Sequence, residues 1–162
     1  MGGTIDSYFE PKLDTAVPLK ESCLPLYFDT LKLSISLDFK TICMKDSRSL
    51  NLQDLEFLAD HISNTSYTHY LVTHGTYTMP DTARFIKEKL GDGSVKKVIF
   101  TGSMIPITGF SPSDAGFNLG YAIAKLETID TGVYVAMNGK VFQADEVSKL
   151  ISEGRFTSLF NG

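Results

Sequence analysis

Thr76 closes the run Thr73-His74-Gly75-Thr76, directly after the apolar stretch Tyr70-Leu71-Val72 and just before Pro80-Asp81. Apolar residues followed by a polar turn and then proline with an acidic residue predict a strand giving way to a helix. A hydroxyl at that junction lies beside backbone N–H groups and a helix N-terminus, which stabilise developing negative charge, so Thr76 is placed like a nucleophile. Threonine is a weak nucleophile near neutral pH and needs a base, and Lys149, read as following a strand and turn outside any apolar face, supplies an amine. Taken alone, the same two residues are better read as a helix cap and a solvated lysine. Gly2-Gly3-Thr4-Ile5 is ambiguous in the same way, since two glycines and a threonine also make a tight turn. His61, His69 and His74 have no helical pairing and no third ligand at metal-site spacing, so no metal centre is expected.

The elements that must position these residues follow from periodicity. Residues 33–45 alternate as an extended strand does, and Leu55, Leu58, Ala59 and Ile62 then recur at helical spacing. The strand at Tyr70–Val72 leads into a helix carrying Ala83, Ile86 and Leu90. Gly91-Asp92-Gly93 punctuates the chain before Val95–Phe100, a run suited to a strand buried on both faces and ended by Thr101-Gly102-Ser103. Ala115, Leu119, Ala122, Ile123 and Leu126 form a helical stripe ahead of a further buried strand, Gly132–Met137. Strands alternating with helices predict an α/β fold, a three-layer sandwich with a mainly parallel sheet of the Rossmann or flavodoxin-like kind. In such sheets ligands sit at the carboxyl ends of the strands, where the polar turns converge.

Composition narrows the function classes. With 162 residues, 43% hydrophobic and 21% charged, the chain suits one globular domain, not a disordered or fibrous segment. A formal charge of −4 with scattered basic residues offers no field for nucleic acid. No apolar run reaches the roughly 20 residues that span a bilayer, and no secretory leader is evident, so no membrane partner and a cytoplasmic address are expected. Cys23 and Cys43 are too few for a disulfide framework and lack Cys-x-x-Cys spacing, so both read as reduced and structural.

Six motifs in order, Gly2-Gly3-Thr4-Ile5, Asp46-Ser47-Arg48, Thr73-His74-Gly75-Thr76, Thr101-Gly102-Ser103-Met104, Ser113-Asp114-Ala115-Gly116-Phe117-Asn118-Leu119 and Val135-Ala136-Met137-Asn138-Gly139, resemble the L-asparaginase family. The resemblance runs from Gly2 to about Lys149 and corresponds to the larger N-terminal domain of the usual two-domain enzyme. Residues 1–162 are accordingly expected to form a single domain, with no counterpart of the family's smaller C-terminal domain and a first strand truncated at Met1. The resemblance implies hydrolysis of asparagine or a related small carboxamide through an acyl-enzyme, without a cofactor, in a homo-oligomer (dimer or tetramer). It places the nucleophile on Thr4, the second threonine on Thr76, its lysine on Lys149 and the lid tyrosine on Tyr8. Ser47 matches the position that contacts the substrate carboxylate, Arg48 adds a cation beside it, and Ser103 joins the substrate-binding set. Tyr77 stands where the family motif reads Thr-Asp, so the carboxylate for a substrate ammonium is missing, with Asp46 as the candidate substitute.

Overall fold

The computed structural model describes residues 1–160. Its centre is a four-stranded sheet formed by β3 (His69–Thr73), β4 (Lys97–Thr101), β5 (Gly132–Met137) and β6 (Lys140–Gln143), in that order, with β3, β4 and β5 parallel and β6 antiparallel. Side chains along a strand point alternately to its two faces, and the core divides accordingly. Val98, Phe100, Val133, Val135 and Met137 face one side, where they meet Leu58 and Ile62 of α2 (Leu52–Asn64) and Ala83 and Ile86 of α3 (Met79–Leu90). Ile99 and Ala136 face the other, against Ala122 and Leu126 of α4 (Ala115–Thr128). The result is the expected three-layer α/β sandwich. The strands that carry the site are therefore held on both faces by apolar contact, and their C-terminal ends are free to carry polar turns.

Local chemistry sets the element ends. Asn51 and Asp54 form a reciprocal capping box at the start of α2, each side chain accepting from the other's backbone N–H at 3.1 and 3.0 Å. Pro80 lies in the first turn of α3, and Gly91 ends that helix with its N–H donated to Lys87 O at 3.0 Å.

Two further units flank the sheet: a hairpin of β1 (Ser7–Glu10) with β2 (Thr15–Pro18), and a hairpin of β7 (Val147–Leu150) with β8 (Arg155–Ser158). Helix α1 (Leu24–Leu31) packs Leu24 and Phe28 onto Ile5 and Leu119. The expected strand over residues 33–45 does not form a ladder. The sequence alternation is not matched by burial, since Leu33, Ile35 and Phe39 are exposed while Leu37 and the adjacent Ile42 and Cys43 pack on the core, and the segment has backbone pairing only at the bridge Gly2–Lys45. A strand needs a neighbouring backbone as well as a buried face, and here the neighbour is Met1-Gly2-Gly3 alone.

Both cysteines are free thiols. Cys23 donates to Asp6 Oδ1 at 3.1 Å, and burial together with that carboxylate pushes its pKa up to about 12, which leaves it unreactive. No helix among the described residues is long and apolar enough to cross a membrane.

Candidate active site

Three strand ends and the N-terminal turn meet at one place. The turn after β3 is tied to β4 by His74 N–H donating to Thr101 O at 2.9 Å, and a Cβ on Gly102 would lie 2.4 Å from His74 O. The loop after β4 is in turn held by the start of α4. The Asp114 carboxylate accepts from the N–H of Met104 at 3.0 Å and of Ile105 at 3.0 Å. Asn118 donates to Gly102 O at 3.0 Å and accepts from Asn138 N–H, after β5, at 3.1 Å. Two polar side chains one helical turn apart thus lock the ends of β4 and β5 together, with the backbone groups they satisfy largely shielded from water.

Glycine contacts bring the N-terminal turn against this platform. Gly3 has φ of 81°, and a Cβ there would lie 2.4 Å from both Cα and N of Gly75, closer than any side chain tolerates. A Cβ on Gly75 would lie 2.7 Å from the Cβ and Oγ of Ser47. Gly3 and Gly75 are therefore stacked backbone to backbone, with the Ser47 side chain packed against Gly75. Thr4 and Thr76, each one residue beyond a stacked glycine, follow the same contact, and Ser47 lies on its other side. Thr4 opens a short 3-10 turn (Thr4–Asp6) and is partly exposed, while Thr76 is buried at 6% relative exposure.

Lys149 donates from Nζ to Thr76 Oγ1 at 2.7 Å. The lysine follows β6 and its turn, as expected, and itself lies within the short strand β7. Its hairpin is anchored by buried Val147 and Phe156, and by Arg84 of α3 donating to Val147 O at 3.0 Å. Partial burial lowers the pKa of Lys149 from the ordinary lysine value, which favours the neutral amine that a proton acceptor requires. The Thr76 backbone N–H meets no acceptor among the described residues. A hydroxyl in contact with a desolvated amine, beside an unpaired N–H, can lose a proton and face developing negative charge.

The remaining predicted residues divide into those near this pair and those apart from it. Ser47 is buried, and its carbonyl accepts from Thr78 Oγ1 at 3.0 Å, which binds its turn to the start of α3. Asp46 is held by Arg48 through Nε at 2.9 Å and Nη2 at 3.1 Å, and this pairing lowers the Asp46 pKa. The Arg48 guanidinium rests over the Tyr77 ring, 5.8 Å from its centre, and that ring is half exposed. Both Asp46 oxygens are thus engaged, so a substrate ammonium would compete with Arg48 for them. Ser103 is fully buried and donates to Ile105 O at 2.6 Å, a loop-forming bond within its own turn. Tyr8 lies on β1, half exposed, with its hydroxyl donated to Glu10 at 3.2 Å. Its strand pairs with β2, and Tyr8 has no hydrogen bond to Thr76 or Lys149 among the described residues.

Sequence reasoning passed over His74 except as a failed metal ligand. Its ring is fully buried, with Nδ1 2.7 Å from Gly75 O, and Nε2 is without a partner among the described residues. Burial pushes its pKa down to about 4, so the ring is neutral at physiological pH. Leaving such an acceptor unpaired costs about 1–3 kcal/mol. No spacing signal would have revealed it, because its bond is to the adjacent residue.

The family described as Asparaginase, N-terminal matches residues 1–158. The chain is 35% identical over 113 residues to a glutaminase-asparaginase of Acinetobacter glutaminasificans, covering 65% of this chain and 33% of that protein. It is 30% identical over 150 residues to L-asparaginase 2-3 of Saccharomyces cerevisiae, covering 86% of this chain and 41% of that protein. A solved structure titled as a probable cytoplasmic L-asparaginase from Campylobacter jejuni superposes with a TM-score of 0.78 at 28% identity, over 98% of this chain and 49% of that one. The chain thus spans between a third and a half of the length of these proteins. A family match over almost the whole sequence, carried by a fold and polar strand ends of the kind described above, places this chain in the asparaginase family, in the region of its N-terminal domain.

Proposed function

We propose that residues 1–162 act as a single asparaginase N-terminal-like domain and form an amidohydrolase site for asparagine or a related small carboxamide. The observation that carries this reading is the 2.7 Å contact between Lys149 Nζ and Thr76 Oγ1, beside the stacked glycines that precede Thr4 and Thr76. In it the Thr4 hydroxyl attacks the amide carbon, and its proton passes into the Thr76–Lys149 pair. The Thr76 N–H receives the developing oxyanion, and the C–N bond breaks as the proton goes to the departing ammonia. Water then attacks the threonine ester and releases the carboxylate product. Ser47 and Arg48 receive the substrate's carboxylate, Arg48 as a cation already oriented by Asp46 and Tyr77. Tyr8 closes over the substrate if the β1–β2 hairpin swings inward, and Ser103 acts through the loop it folds. Initial rates of ammonia release from asparagine, glutamine and a peptide amide test the substrate class, with asparagine expected to be fastest. A faster peptide amide would move the site to another substrate.

A second reading, ligand binding without turnover, draws on Tyr77, which puts a phenol where the resembled motif has a carboxylate. Tyr77→Asp separates the two. Beside Arg48, an aspartate competes with the substrate's carboxylate for the guanidinium and removes the ring that supports it. We therefore expect the Michaelis constant for asparagine to rise several-fold, in keeping with about 0.5–1 kcal/mol for an exposed cation–π contact plus the competing charge. A clear fall in that constant would instead mark a site that has lost its ammonium partner.

We also propose a cytoplasmic protein assembling at least as a homodimer. Exposed Leu33, Ile35 and Phe39, together with exposed Phe117 on α4, support self-association. Sedimentation velocity at assay concentration should show a dimer or larger, and a fully active monomer would refute it.

A further inference from the structure

The peptide joining Gly75 to Thr76 is a rigid plane with the Gly75 carbonyl on one side and the Thr76 N–H on the other. Whatever holds the carbonyl therefore aims the N–H. The only group at that carbonyl among the described residues is Nδ1 of His74, 2.7 Å away. A carbonyl oxygen only accepts, so Nδ1 carries the proton and Nε2, which has no partner, carries the lone pair. The ring has little freedom to leave this position. It is fully buried, lies edge-on to Phe100 at 5.9 Å, and belongs to a residue whose N–H is bonded to Thr101 O. Gly75 by contrast has no side chain of its own to fix its peptide, and the Thr76 N–H on the far side of the plane is unpaired.

We propose that His74 is a positioning residue: its Nδ1–H bond to Gly75 O fixes the Gly75–Thr76 peptide, aiming the Thr76 N–H at the substrate oxygen and the Thr76 hydroxyl at Lys149. This rests on the amidohydrolase reading given above for what the N–H then stabilises. The hydrogen bond itself is independent of that reading.

Two variants separate positioning from packing. His74→Asn keeps a donor at the δ position, and His74→Leu keeps a branched, buried side chain without one. With both shown to be folded by circular dichroism, His74→Leu should lower kcat for amide hydrolysis on the order of 10–100-fold with KM changed less than about threefold. His74→Asn should recover most of kcat. Imidazole nitrogen NMR of the wild-type chain should show His74 protonated at Nδ1, and the Thr76 amide cross-peak should move in the leucine variant while staying near its original position in the asparagine variant. An Nε2-protonated His74, wild-type kcat in His74→Leu, or equal losses in both variants would overturn the proposal. Were the wild-type chain to release no ammonia from any amide, the amidohydrolase reading would fail. The imidazole and Thr76 spectra would still decide whether His74 fixes the peptide.

Discussion

Replacing Thr4 by alanine is expected to abolish ammonia release from asparagine while leaving the fold intact. Thr4 opens a short turn and is partly exposed, so truncating it removes little buried surface, and a change of stability within about 0.5 kcal/mol is expected. The backbone around it is fixed by other groups. Gly3 N–H donates to Lys45 O at 3.0 Å, Ser7 Oγ donates to Gly3 O at 2.7 Å, and Ile5 is wholly buried. Alanine supplies no attacking oxygen, and loss of a covalent nucleophile typically lowers kcat by on the order of 10⁴-fold or more. Steady-state ammonia release, paired with a thermal melt, checks both halves. A folded Thr4→Ala protein with unchanged turnover would remove Thr4 from the reaction.

The second large effect concerns Thr76 and Lys149. Thr76→Val keeps shape and loses the hydroxyl, and Lys149→Met keeps the unbranched stem and loses the amine. Each is expected to lower kcat by on the order of 10²–10⁴-fold, the usual scale for a positioned proton-transfer group. Because the two touch at 2.7 Å, the double variant should lose much less than the product of the single losses. The lysine also predicts a pH dependence. Desolvation already weakens the hold of Lys149 on its proton, and only the neutral amine accepts one from a hydroxyl, so kcat should fall on the acid side as Lys149 becomes protonated. That limb should vanish from whatever activity remains in Lys149→Met. Fully multiplicative losses in the double variant, or an unchanged acid limb in Lys149→Met, would show that the contact does not act as a proton-transfer unit.

Much of the framework was readable because it rests on local signals. The helix starting near Pro80, the stripe from Ala115 to Leu126 and the strand Gly132–Met137 all combine periodicity with turn residues at their ends, and each formed where those signals lie. What depended on distant partners was harder to read. Residues 33–45 have the sequence alternation of a strand but leave Leu33, Ile35 and Phe39 exposed and have almost no backbone to pair with. Lys149 does follow a strand and turn, but the strand that carries it is hidden because β7 and β8 are each four residues long, too short for periodicity to locate. The site shows the same division. Thr76 and Lys149 are 73 positions apart, and only the β7–β8 hairpin packing on α3 unites them. Ser103 carries a hydroxyl at a strand end, as substrate-contacting residues do, but spends its donor on its own loop. The convergence of these polar turns was expected from topology, but the individual bonds from Asp114 and Asn118 to backbone groups at Met104, Gly102 and Asn138 depend on side-chain geometry that spacing does not give.

The most direct measurement is ammonia release from asparagine by the purified chain, followed alongside thermal melting in the presence of aspartate. An active amidohydrolase site predicts steady ammonia production from asparagine and a higher melting temperature with saturating aspartate, since a ligand that binds only the folded state stabilises it. A folded protein that is stabilised by aspartate yet releases no ammonia from any amide would contradict the central claim and leave a binding module in its place.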